Sequence, residues 1–226
     1  MEYKMANPSK KIREQRDDLS PFLFHYTKGR EAFEILLSII DEKKLKSEKG
    51  YICFTEAPLA TSLRMFDYMN QYPDPMYAPY GIGFNRDFLF NIGARPVIYG
   101  TEEENEKIPQ ELKWRCLNLQ PESYDFSWLR EWRIEGNEFD FKDYHNDIII
   151  VAPTNEELEK LTTDYDFDVD FAYEHEVRMS FPYLIHIPKR GFRGISLEKI
   201  RDDSYISDRE VSNEVESQTL NELLDD

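Results

Sequence analysis

"SWLREWRIEG", residues 127–136, is the stretch on which the reading of the fold turns. Its tryptophan and isoleucine content marks "EWRIEG" as a strand rather than a charged loop. Side chains alternate between the two faces of a strand, so Arg130 and Trp132 are expected on one face and Glu131 and Arg133 on the other. Two readings of Glu131 follow. It is half of an ordinary strand ion pair, or it is a carboxylate that Arg133 orients for chemistry. The strands around it decide which.

Working outward, "FLFHYT" (22–27) is a short apolar and aromatic run that suits a buried strand. "GREAFEILLSIIDEKKL" places Phe33, Leu36, Leu37 and Ile40 at helical spacing, which predicts an amphipathic helix. "YICFTEAPL" (51–59) reads as a second strand stopped by Pro58. A helix and a Pro/Tyr-rich loop follow in residues 60–79. "YGIGF" (80–84) and "ARPVIYG" (94–100) then read as strands joined by a short turn of helix. Glycines 81 and 83 are read as permitting close packing. "TEEENEKIPQELK" is an acidic excursion, and "WRCLNL" suits a further strand. "NDIIIVAPTNEELEKL" is a strand-to-helix unit in which Thr154 and Glu157 are spaced as a capping box. "DYDFDVDF" (164–171) alternates acids with apolar residues, as a half-exposed or edge strand does, and "YLIHIP" (183–188) is a last strand before the basic turn "KRGFRG". Many short strands and few helices without regular βαβ alternation give an α+β class, a sheet or split sheets with peripheral helices.

Composition narrows the function classes. The 226 residues carry a formal net charge of −17. Residues 1–163 hold 21 basic against 29 acidic side chains (−8), and residues 164–226 hold 7 against 16 (−9). Nucleic-acid binding over the whole surface is disfavoured, because phosphates need a concentrated positive patch, although one local basic groove is compatible with this charge. Cys53 and Cys116 are too few for a disulfide scaffold, and with His25, His145, His175 and His186 they show no metal-ligand spacing, so no metal is expected. No stretch reads as a signal peptide or a membrane span, and the chain is expected to be cytoplasmic. The division expected is a polar N-terminal lead (1–20) that is a flexible lead or an exposed helix, a single α+β domain (21–195) and an acidic C-terminal helix or tail (196–226).

Taken in order, "FHYT", "ICFTEAPL", "YGIGF", "RPVIYG" and "REWRI" resemble the abortive-infection AbiGi-like and DUF2971-like families of bacterial phage-defence proteins, which are similar in turn to ADP-ribosyltransferases. The resemblance covers roughly residues 22–151. It implies an ADP-ribosyltransferase-like split β-sheet core with a cleft for NAD, used as substrate. It further implies that His25 on the first strand contacts the adenosine ribose and that Glu131 is the catalytic carboxylate. Thr55 takes the second-strand role, although "ICFTE" lacks the tyrosine common there. Tyr26 and Thr27 supply neighbouring polar contacts, Phe54, Tyr80 or Trp132 stacks the nicotinamide, Arg133 orients Glu131, and Arg86 or Arg95 meets the pyrophosphate. The acceptor implied is a nucleic acid or a protein, in a phage-defence or toxin–antitoxin setting.

Other readings stand beside this one. His25 also suits a satisfied core histidine and Thr55 an ordinary strand residue. The acidic C-terminal part suits a catalytically silent antitoxin or adaptor that binds a basic partner. A nuclease or phosphotransferase of unrelated fold would need a phosphate-gripping site. The basic clusters visible, at residues 10–11, "EKKLKSEK" and "KRGFR", support that thinly.

Overall fold

The five consecutive buried residues of "IIIVA" (148–152) organise the molecule. In the computed structural model, which describes residues 8–123, 125–174, 178–189 and 191–202, this run is a strand covered on both faces. In chain order the elements are α1 (Pro8–Glu14), β1 (Phe22–Tyr26), α2 (Ala32–Glu42), β2 (Lys44–Lys46), β3 (Tyr51–Thr55), α3 (Leu59–Met69), β4 (Gly81–Asn85) and α4 (Arg86–Asn91). They continue with β5 (Arg95–Pro96), β6 (Ile98–Gly100), α5 (Glu102–Glu106), β7 (Cys116–Asn118), β8 (Glu131–Glu135), β9 (Glu138–Asp140) and β10 (Ile148–Ala152). The last are α6 (Asn155–Thr162), β11 (Asp164–Glu174), β12 (Met179–Lys189), β13 (Gly194–Ser196) and α7 (Leu197–Asp202).

Seven strands form one mixed sheet in the order β13-β10-β4-β1-β3-β8-β5, and three two-stranded pieces, β2-β9, β6-β7 and β11-β12, lie outside it. β13 runs parallel to β10 through the α6 crossover, while the other neighbours in the sheet are antiparallel. The class is therefore α+β. Alternation sorts the side chains into two cores. Leu23, Phe54, Ile82, Phe84, Trp132, Ile148 and Ile150 pack with Leu36 and Ile40 of α2 on one face. Phe22, Phe24, Ile149 and Val151 pack with Leu59 and Phe66 of α3 on the other. Burial at Leu36 and Ile40 follows the i, i+4 spacing of an amphipathic helix, and Lys43 ends α2 in a left-handed turn.

Three regions depart from the sequence reading. Arg130 is not on the strand: it sits at φ 46°, just after a 3₁₀ turn (Ser127–Leu129), and β8 begins at Glu131. Its guanidinium leaves the sheet to hold the Asp18 carboxylate at 2.9 Å. Of the two forms expected for the lead, the structure has the exposed helix from residue 8, and α1 is also tied to the sheet through Arg13, 2.8 Å from Glu56. The fold also runs past residue 195, because Leu197 and Ile200 of α7 are buried in the second core. Two short elements carried no apolar signal: the β2-β9 pair, and α5, whose start is a full capping box between Thr101 and Glu104. His175 and residues 203–226, most of the acidic tail, lie outside the described residues. No helix among the described residues is long and apolar enough to cross a membrane.

The glycines of β4 make room for aromatic rings. Phe24 faces Gly83 and Tyr26 faces Gly81 across the β1–β4 ladder. A Cβ on Gly83 would sit 2.6 Å from the Phe24 ring and 2.9 Å from Ile149. Gly83→Ala is expected to cost about 1–3 kcal/mol by overpacking, read as a lowered midpoint in thermal or urea unfolding followed by circular dichroism. An unchanged midpoint would show that the rings give way without strain.

Candidate active site

The sheet parts between β1 and β3. Where β1 and β4 share five paired positions, β1 and β3 share one, Phe24 opposite Thr55. Continuing the register would pair Tyr26 with Cys53. In place of that rung the His25 imidazole reaches across, its Nδ1 2.8 Å from the Cys53 carbonyl oxygen. A carbonyl only accepts, so Nδ1 carries the proton and, in the neutral ring, Nε2 is left as an acceptor. Burial pushes the His25 pKa below its ordinary value, the hydrogen bond to Cys53 opposing only in part. The neutral ring is the favoured form.

A cleft of about 880 Å³ occupies this parting. It takes His25, Tyr26 and Thr27 from the end of β1, Tyr51, Ile52 and Cys53 from β3, and Glu131 and Arg133 from β8. The outward side of α2 adds Glu34, Ile35, Ser38, Ile39 and Glu42, and Met76, Tyr77, Leu117, Phe126 and Leu129 line the other side. Its charged lining is Lys28, Lys44, Lys46, Lys49 and Arg133 against Glu34, Glu42 and Glu131, a local excess of positive charge on an acidic chain.

Glu131 and Arg133 form one unit on this wall. Arg133 Nε donates to Glu131 Oε1 at 2.7 Å, and the two side chains are 5% and 12% exposed. Arg133 Nη1 donates to the carbonyl oxygens of Trp114 (2.8 Å) and Cys116 (3.0 Å), and the guanidinium lies 4.1 Å over the Tyr51 ring. Four contacts thus fix the arginine, and the arginine fixes the carboxylate. The Glu131 main-chain N–H donates to Tyr99 Oη at 3.0 Å, which holds the strand itself. The Cys53 thiol lies beside Glu131, and burial first, then that carboxylate, pushes its pKa up to about 12. Cys53 is therefore a protonated neighbour of Glu131 and a poor nucleophile.

Five of the eight residues assigned from sequence meet in this cleft: His25, Tyr26, Thr27, Glu131 and Arg133. The Thr27 hydroxyl is turned to the Ala32 and Tyr80 carbonyls, at 3.0 and 3.1 Å. Three lie outside the lining. Phe54 points into the first core against Phe84, because its parity is opposite to that of Cys53 and Thr55. Thr55 donates to the Leu129 carbonyl and accepts from Ala57 N–H, so it joins the end of β3 to the turn before β8. Tyr80 donates to Glu157 at 2.6 Å, which anchors α6. Trp132 is buried on the opposite face, its indole N–H on Glu56. Arg86 holds Glu56 at 2.9 Å, and Arg95 donates to the Phe90 and Ala94 carbonyls. Neither arginine reaches the cleft. Tyr51, Tyr77 and Phe126 supply its aromatic surface instead, and four lysines its positive charge. The "EKKLKSEK" cluster was the sequence signal for three of those lysines, Lys44, Lys46 and Lys49, and Lys28 had none. Among the described residues no group of His, Cys, Asp and Glu is placed to hold a metal ion.

Two outcomes test this geometry. Arg133→Met leaves the Glu131 carboxylate buried without its counter-charge and is expected to cost about 3–5 kcal/mol in chemical unfolding, with Arg133→Lys between it and wild type. For His25, the depressed folded-state pKa means that the unfolded chain binds the extra proton first. Its share of stability is present above pH 6.5 and lost as pH falls toward the lowered folded value. Wild type is expected to lose more stability than His25→Gln between pH 7 and pH 5, and parallel curves would contradict the burial argument. No protein-family model matches the chain, and neither a characterised protein nor a solved structure matches it.

Proposed function

We propose that the cleft binds NAD and that the protein is an ADP-ribosyltransferase-like enzyme of phage defence or a toxin–antitoxin system. The observation that carries this reading is the meeting of His25 with the Glu131–Arg133 pair in one cleft where the sheet parts. Heterolysis of the nicotinamide–ribose bond sends the bonding electrons to the departing nicotinamide and leaves positive charge on the ribose. Glu131, held by Arg133, lies beside that charge and takes the ribose 2′-hydroxyl as donor. An acceptor hydroxyl or amine on a nucleic acid or protein then attacks C1′ and gives up its proton, or water does so in simple hydrolysis. His25 Nε2 accepts from the adenosine ribose. Lys28 and Lys49 form no ion pair among the described residues and are free to meet the phosphates.

A second reading, a catalytically silent antitoxin or adaptor that binds a basic partner, draws support from the β11–β12 pair. The two are separated by one experiment. Purified wild type and Glu131→Gln are incubated with labelled NAD, alone and with RNA, DNA and cell lysate. Loss of one preorganised group commonly costs about 3–4 kcal/mol, so nicotinamide release is expected to fall about 10²–10³-fold in the variant, measured below its melting transition and with the native circular-dichroism spectrum retained. A wild type that neither binds nor turns over NAD would reject the enzymatic reading.

A further inference from the structure

β11 and β12 are each eleven residues long, about 35 Å of ribbon, and form a sheet of two strands inserted between α6 and β13. Such a ribbon alone is marginal in water and needs a further strand or a packed face. Among the described residues this one has neither. Its principal packing is of one strand on the other, and both of its faces carry large exposed apolar side chains. On one face Phe171 is 62% and Leu184 64% exposed; on the other are Met179, Phe181 and Tyr183, also exposed.

The two outer edges are not equivalent. In the register, Tyr165, Phe167, Val169, Phe171 and Tyr173 stand opposite Pro188, His186, Leu184, Pro182 and Ser180. Proline is tolerated in a ladder where its missing N–H would face outward, so these five pairs turn their donors to the outer edges. The Phe171 N–H bears this out: it goes to its own neighbour's carboxylate, Asp170 Oδ1, at 2.8 Å, and not across to β12. Two of the five outward donors of β12 are therefore missing, which blunts that edge, while β11 contains no proline and has an N–H at each of its five outward positions. Residues 164–174 hold five acids (Asp164, Asp166, Asp168, Asp170, Glu174) and no base. The acids share one parity, and the residues between 164 and 174 at the other parity are aromatic or aliphatic.

We propose that the outer edge of β11 is the docking site for an extended segment of a partner protein whose residues alternate between apolar and Lys/Arg. Such a segment adds a third strand, its main chain taking the outward groups of β11 and displacing the Asp170 carboxylate from the Phe171 N–H. Its apolar residues cover Phe171, and its cations complement the five acids and no base in the sequence of β11. Charge argues against a second copy of the chain as the occupant, since edge against edge would set two rows of acids side by side.

The probe is a fluorescein-labelled nine-residue peptide of alternating lysine and valine, titrated with the full-length protein and followed by anisotropy. A peptide of equal charge with two of its valines replaced by proline is the control. Saturable binding of the first peptide is expected, at least tenfold weaker for the proline peptide, for Asp170→Lys and for Phe171→Pro, which removes one outward donor. The body's melting transition is expected unchanged in both variants. Equal binding of the two peptides would reduce the effect to charge alone and overturn the proposal, as would no binding of either. A dimer in sedimentation velocity that Phe171→Glu dissolves would overturn it in favour of self-association.

Discussion

One imidazole stands where a rung of main-chain hydrogen bonds would otherwise be. Had β1 and β3 continued their pairing past Phe24 and Thr55, the sheet would be closed at this point and the cleft absent. His25 spans the parting with a single bond to the Cys53 carbonyl. That satisfies one buried acceptor and leaves the space beyond open to β8. A strand edge exposed inside a protein is costly unless its polar groups find partners. Here one partner is a side chain, and the remaining groups face a cleft that a ligand or solvent enters. The arrangement also defines the histidine: its tautomer is set by the carbonyl it serves, and burial keeps the ring neutral.

The Glu131–Arg133 pair is a structural element and, on the proposed reading, a chemical one as well. A pair this buried gains little net stability, because desolvation offsets most of the Coulombic attraction. Its cost is met by the hydrogen bonds around it, two from Arg133 to main-chain carbonyls and one stacking contact with Tyr51. These contacts leave the guanidinium no freedom to follow the carboxylate, so Glu131 is held in one place. A carboxylate so constrained does not have to reorganise when positive charge develops beside it, the condition under which electrostatic stabilisation is largest. The two readings of "REWRI" are thus compatible: the ion pair is the means of orientation.

Much of this was legible from residue type and spacing. Apolar runs located β1, β3, β4, β8 and β10, and the parity of 131 and 133 put their side chains on one face before any partner was known. The errors share a cause. Phe54 and Thr55 belong to the right strand, but which face meets the cleft depends on the register Thr55–Glu131 and Cys53–Arg133, which no single strand encodes, and Tyr80 stands just before β4 with its hydroxyl turned to Glu157. Arg130 was misplaced because a left-handed residue at the mouth of the strand breaks the alternation rule. The wall supplied by α2 and by Lys44–Lys49 is polar surface from segments with no motif, and only tertiary packing brings it over the gap.

Charge has an uneven geography that composition alone conceals. A net −17 suggests a surface hostile to phosphates, yet five cations and three acids line the cleft. The excess is small in number but is set in a recess, where low-dielectric walls focus the field. The opposite sign is concentrated on β11, in five acids over eleven residues. An anionic small molecule and a cationic protein segment would therefore be drawn to different parts of the same chain. Neither would compete with the other for its site, and the acidic ribbon would repel an anionic ligand that the cationic lining of the cleft favours. The charge that disfavours nucleic-acid binding over the whole surface is distributed so that these two regions have opposite preferences.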